Sequence, residues 1–92
     1  MEPTLLIVDD EPEVQDLLAR TLTDHHFRCL CTGAIEEAKV QVETENIDLA
    51  ICDVALQDGS GIDLLKHIRC VRPSLPVVMI TGFPSIHVAE EC

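Results

Sequence analysis

Positive charge is scarce in this chain of 92 residues: six Lys and Arg stand against 17 Asp and Glu, a formal net charge of -11. Contacts to nucleic acid need clustered Lys and Arg, so this segment is not expected to bind it. The acidic surplus suits a cation site or a basic partner surface, or serves solubility alone. No apolar run approaches the roughly 20 residues of a membrane span. The N-terminus also lacks a basic-then-apolar signal pattern, and the expectation is a soluble, cytoplasmic protein with no membrane partner. The five cysteines are odd in number and include no CxxC pair, which speaks against a disulfide framework. Cys29 and Cys31, expected on opposite faces of one strand, read with Cys52, Cys70 and Cys92 as reduced, mostly buried small hydrophobes. His25, His26, His67 and His87 form no ligand cluster. Linkers, repeats and low-complexity stretches are missing too, so residues 1–92 are read as one domain.

What the chain does have is a set of short apolar runs that stop on polar residues. Apolar residues make up 47% of it, enough for one core. Ile47-Asp48-Leu49-Ala50-Ile51-Cys52 climbs to the carboxylate of Asp53. Leu5-Leu6-Ile7-Val8 halts at Asp9-Asp10, and Val77-Val78-Met79-Ile80 halts at Thr81-Gly82. Short apolar runs separated by helix-period segments predict parallel strands buried on both faces. In such sheets the ligand site lies outside the carboxyl ends of the strands. Asp9, Asp10, Asp53 and Thr81 are therefore expected on one rim, with Asp53 at its centre.

Taken in order, the first strand is followed by a helix that opens on Pro12, with Val14, Leu17, Leu18, Thr21 and Leu22 on its inner face. Phe27 to Thr32 alternates like a strand nearer the sheet edge, and Gly33 breaks it. A second helix spans about Ala34 to Thr44, with Ile35, Ala38 and Val42 turned inward. The third strand ends at Asp53, and the turn-rich stretch from Val54 to Gly61 follows. Ile62, Leu65 and Ile68 mark a third helix that must stop by Pro73. After the fourth strand, Ser85 is placed to cap a last helix running to Cys92. The order β-α-β-α-β-α-β-α predicts a doubly wound α/β sheet with right-handed crossovers.

Each rim residue also has a plain structural reading. Asp9 and Asp10 suit a helix start, Asp53 a loop, and Thr81 a strand end. Together, however, three carboxylates at adjacent strand ends repel one another unless a cation sits among them. Oxygen ligands on an open rim suit Mg2+, which leaves room for a phosphoryl oxygen. A carboxylate beside such an ion can act as a nucleophile toward phosphorus, and a neighbouring hydroxyl can donate to the transferred group.

Leu6-Ile7-Val8-Asp9-Asp10-Glu11-Pro12, Asp48 to Asp53, Asp58-Gly59-Ser60-Gly61 and Met79-Ile80-Thr81-Gly82 together resemble the receiver domain of two-component response regulators. The stretch from Thr81 to Ile86 is most similar to receivers of sigma-54-dependent, NtrC-like regulators. The resemblance implies a flavodoxin-like parallel sheet, of which this chain supplies order 2-1-3-4, with the family's fifth strand and fifth helix missing. Residues 1–92 are accordingly expected to be a truncated receiver. By the same resemblance Asp53 is the phospho-acceptor, served by a sensor histidine kinase or phosphotransfer protein. Asp9, Asp10, Asp53 and the backbone carbonyl of Ala55 would hold Mg2+, and Thr81 would contact the phosphoryl group and propagate a switch. Gln57 stands where the family usually has proline. The family's active-site lysine belongs to the missing strand, while Lys39 and Lys66 fall in helices.

The function expected is thus a signalling switch, not an enzyme, with its output domain outside these residues. Two alternatives come from other classes. An Asp-nucleophile Mg2+ phosphohydrolase would want a second acid two residues after Asp53, where Ala55 stands. A phosphorylation-independent interaction module is the other, favoured by the missing lysine. With no fifth strand, Val77 to Ile80 is expected to be an open edge. A dimer or larger assembly through that edge, or a rearranged C-terminus, is the consequence.

Overall fold

A computed structural model describes residues 2–56, 59–80 and 86–89, with Ala55 and residues 86–89 described by their backbone. Along the chain come β1 (Thr4–Val8), α1 (Pro12–Asp24), β2 (Arg28–Thr32), α2 (Ile35–Thr44) and β3 (Leu49–Asp53). A hairpin of β4 (Ala55–Leu56) and β5 (Gly59–Ser60) leads into α3 (Gly61–Val71), β6 (Val77–Ile80) and β7 (Ile86–Ala89). The main sheet has the order β2-β1-β3-β6-β7. Its first four strands are parallel. The apolar runs predicted the doubly wound parallel sheet, and the order β2-β1-β3-β6 is the flavodoxin-like one that the resemblance implied. No helix among the described residues is long and apolar enough to cross a membrane.

The core lies mainly on one face of the sheet. Leu6, Val8, Ala50, Cys52, Val77 and Met79 point there, because alternate residues of a strand share a face. Ile35, Ala38 and Val42 of α2 and Leu64, Leu65 and Ile68 of α3 close over them. The inner face of α2 is the one its periodicity predicts. In α3 the buried residues are Gly61, Leu64, Leu65 and Ile68, whereas Ile62 is 40% exposed. Arg72 ends α3 and reaches back across the layer. Its guanidinium donates to the carbonyls of Val42 (3.1 Å), Glu45 (3.2 Å) and Ile47 (3.1 Å). A planar fork of donors suits this task, because the last carbonyls of a helix lack partners within it.

The opposite face is covered less completely. Leu5 and Ile7 of the interior strand β1 are buried there, but Leu49, Ile51, Val78 and Ile80 are half-buried. So β1 is buried on both faces, as expected, while β3 and β6 are fully buried on one. The helix α1 lies on this side and corrects the sequence reading. Leu17 is 66% exposed and Thr21 also faces outward, donating its hydroxyl to the Leu17 carbonyl at 2.9 Å. The half-buried stripe is Val14, Gln15, Leu18, Ala19 and Leu22. Periodicity admits both stripes, and docking beside β2 selects the one that carries Ala19.

The cysteine expectation also needs correction. Residues two apart in a strand share a face, so Cys29 and Cys31 lie on the same side. Although Cys31 is exposed overall, partial desolvation of its thiol, and then its neighbour Cys29, push it up. Of the described cysteines, all free, Cys52 is buried, Cys29 half-buried, and Cys31 and Cys70 exposed.

The largest departure is at the chain's end. Where a helix after Ser85 was expected, Ile86–Ala89 forms β7, antiparallel to β6, with Ile80 opposite Ile86 and Val77 opposite Ala89. A helix of so few residues is marginal by itself, since nucleation outweighs the few bonds it gains. Pairing with β6 instead satisfies backbone groups that an edge leaves open. The expected open edge along Val77–Ile80 is therefore covered from within the chain, the rearranged C-terminus expected as the alternative to assembly. This removes the reason for expecting association through it. Ser85 itself lies outside the described residues.

Candidate functional site

The carboxyl ends of β1 and β3 are neighbours because the strands run parallel in register, Val8 opposite Cys52. Each apolar run ends there on an acid. The Asp9 backbone N–H continues the ladder to the Thr32 carbonyl at 3.0 Å. Its carboxylate, 4% exposed, accepts from the Glu11 backbone N–H at 2.8 Å. That bond is a local turn of the kind Asp favours, and it places Asp9 just ahead of Pro12 and α1. Asp10 is half-buried beside it. Asp53, also half-buried, is the last residue of β3 and stands opposite Ile80.

One carboxylate oxygen from each of Asp9, Asp10 and Asp53 lies within 4.8 Å of the others. The electrostatic result is visible at Asp9, whose carboxyl is held above the ordinary value. Burial is the largest cause. The hydrogen bond from Glu11 opposes it, and the charges of Asp53, Glu11 and Asp10 add to it. All the donors are oxygen and a cation would relieve the repulsion, so the site fits a hard divalent ion such as Mg2+.

The shift has a direct consequence for stability. Since the folded-state value is raised, Asp9 favours folding while protonated. Its contribution is complete below the ordinary value of 3.8 and is lost as pH rises through the raised value. In EDTA, Asp9→Asn is therefore expected to melt above the wild type near neutral pH, with the two converging in acid. Melting curves at both pH values check this, and a variant that melts lower near neutral pH would contradict it.

The other expected rim residues are placed less completely. Ala55 opens β4, opposite Ser60 in the hairpin and two residues beyond Asp53. Thr81 lies outside the described residues, as do Gln57 and Asp58, while β6 ends beside Asp53 at Ile80. Cys52, next to Asp53, is not a competing nucleophile. Burial first, then the charges of Asp53 and Asp9, push its thiol up to about 12.

Several supports of the rim emerge only in the fold, although Ser60 and Gly61 also stand in the Asp58-Gly59-Ser60-Gly61 motif. Gln15, one turn into α1, donates its side-chain amide to the Asp9 carbonyl. Thr32 is buried, and its hydroxyl accepts from the Ala34 N–H at 3.2 Å. Val54 is held on both sides: its N–H donates to Ile80 and its carbonyl accepts from the Gly61 N–H, each at 2.8 Å. Ser60, as N-cap of α3, accepts from the Ile62 N–H at 3.1 Å. Only the tertiary placement of α1 and α3 brings Gln15 and Gly61 to the rim.

Known proteins share the fold and part of the sequence. The response regulator receiver domain family matches residues 5–92. The response regulator protein PilR of Pseudomonas aeruginosa is 39% identical over 84 residues, 91% of this chain and 19% of PilR. The chain thus spans about a fifth of that relative's length. A receiver domain protein (CheY-like) from Methanospirillum hungatei superposes with a TM-score of 0.87 at 28% identity, over 92% of this chain and 68% of the other. The response regulator TrrA of Thermotoga maritima, in complex with Mg(2+)-BeF, gives 0.84 at 27% identity, over 89% and 71%. TrrA in complex with the histidine kinase ThkA gives 0.83 at 26% identity, over 90% and 72%.

Proposed function

This chain belongs to the response regulator receiver domain family, and from that premise we propose that Asp53 accepts a phosphoryl group from the phosphohistidine of a sensor histidine kinase or phosphotransfer protein. The observation that carries the reading is the convergence of Asp9, Asp10 and Asp53 within 4.8 Å at the carboxyl ends of β1 and β3. In this reading an Asp53 carboxylate oxygen forms the bond to phosphorus as the nitrogen–phosphorus bond to histidine breaks. Asp9 and Asp10, with the Ala55 carbonyl and Asp53 itself, would hold Mg2+. When bound, the ion would supply positive charge that offsets the repulsion between Asp53 and the incoming phosphoryl group. Thr81, one residue past β6, donates its hydroxyl to the phosphoryl oxygens and carries the change into the chain beyond.

The acyl phosphate is then the signal, read by an output domain outside these residues. Phosphohydrolase chemistry is disfavoured because Ala55 offers no acid two residues from Asp53. The test is direct. The protein incubated with acetyl phosphate and Mg2+ should gain one phosphoryl group by intact mass. Without any adduct, the phospho-acceptor reading fails and a phosphorylation-independent interaction module takes its place.

The metal can be tested separately. Mg2+ at about ten times its dissociation constant should stabilise the fold by about 1.4 kcal/mol, because it binds the folded state only. An unchanged melting curve between EDTA and millimolar Mg2+ would remove the metal from the proposal.

A further inference from the structure

Two glycines lie where a side chain would press on the backbone of the acidic rim. A Cβ on Gly61 would fall inside the van der Waals envelope of the Asp53 carbonyl oxygen, 2.9 Å from the Asp53 carbonyl carbon and 3.1 Å from the Cys52 sulfur. The clash is with backbone, so a rotamer change cannot relieve it. Gly61 also donates its N–H to the Val54 carbonyl at 2.8 Å, in the peptide next to Asp53. On the other side of the rim, a Cβ on Gly33 would sit 3.2 Å from the Asp10 Cα and 3.4 Å from the Asp9 carbonyl oxygen. The two approaches differ in severity. At Gly33 the neighbours need move only slightly, whereas at Gly61 the backbone of Asp53 must shift.

We infer that Gly61 and Gly33 are positioning residues of the metal and phospho-acceptor site, setting by close backbone approach where the carboxylates of Asp53, Asp9 and Asp10 stand. The inference rests on the proposed Mg2+-assisted phospho-acceptor reading. Neither glycine does this through turn flexibility, because neither has a left-handed φ. Gly61 opens α3, where helix propensity by itself favours alanine. A glycine kept at that position for helix stability alone has no rationale. Its close packing against Asp53 supplies one.

The experiment is a Mg2+ titration of the metal-free protein, followed by backbone amide chemical shifts, on wild type, Gly61→Ala, Gly33→Ala and Ile68→Val. The last variant loosens the core under the far part of α3 without touching the rim. Gly61→Ala is expected to weaken Mg2+ binding about 10- to 100-fold, the range seen when the supports of metal ligands are altered. The amides of Asp53 and Val54 should move in the metal-free state while those of α2 stay in place. Gly33→Ala should weaken binding less, with shifts at Asp9 and Asp10, and Ile68→Val should bind as the wild type does. If Gly61→Ala does not fold, Gly33→Ala decides the matter. Wild-type affinity in a folded Gly61→Ala protein, or in Gly33→Ala where Gly61→Ala does not fold, overturns the inference. An equal loss in Ile68→Val also overturns it. A wild type that binds no Mg2+ overturns the underlying reading as well, and the two failures are thereby told apart.

Discussion

Replacing Asp53 by asparagine is expected to abolish phosphoryl labelling by acetyl phosphate, while leaving the fold in place. The side chains are nearly the same size, and Asp53 is only half-buried at the end of β3, so little packing is lost. What changes is chemistry. An amide oxygen carries no full negative charge and cannot form a stable acyl phosphate. Removing one of three crowded carboxylates should also ease the repulsion that raises Asp9, so the metal-free variant should melt no lower than the wild type. In the wild type itself, labelling should be slow. The lysine that the receiver resemblance implies is not among these 92 residues, whose two lysines lie on helices, Lys39 paired with Glu36 on α2 and Lys66 on α3. A preorganised charge of that kind is commonly worth about 3 kcal/mol, roughly a hundredfold in rate. Time courses by intact mass, with peptide mapping, read both effects. Labelling that persists in Asp53→Asn would displace the phospho-acceptor to another residue.

The second large effect is on stability. Leu64→Ala should cost about 2–5 kcal/mol, because Leu64 is 0% exposed between α3 and the sheet and its loss leaves a cavity. Total stability for a domain of this size is only about 5–14 kcal/mol, so the loss is a large part of it. At about 4–8 °C per kcal/mol, the melting temperature should fall by about 10 °C or more. Leu17→Ala is the matching control. With Leu17 66% exposed on α1, the same deletion should change stability by no more than about 0.5 kcal/mol. The contrast discriminates, because the helical pattern marked Leu17 for the inner face of α1 and marked Ile62, Leu65 and Ile68, but not Leu64, on α3. Comparable losses at Leu17 and Leu64 would mean that α1 docks by its other stripe.

The rim and the parallel strands were legible in the sequence for a local reason. Leu5 to Val8 and Leu49 to Cys52 are apolar without interruption, and each run stops on aspartate, so strand and rim residue are marked together. Ile35, Ala38 and Val42 likewise declare the face of α2, since no competing apolar stripe exists there. By itself the sequence thus determined the α/β class, the strand ends and the acids that occupy them. The tertiary structure decided the rest. It chose Leu18 and Ala19 over Leu17 on α1, put Cys29 and Cys31 on one face, and turned Ile86–Ala89 into a strand along β6. It also brought Gln15, Gly33 and Gly61 against Asp9, Asp10 and Asp53. Local periodicity limits which face an element can bury, but the surface available for docking selects among the faces. A close approach between distant segments has no local signature at all, because it exists only once parallel register has set Val8 beside Cys52.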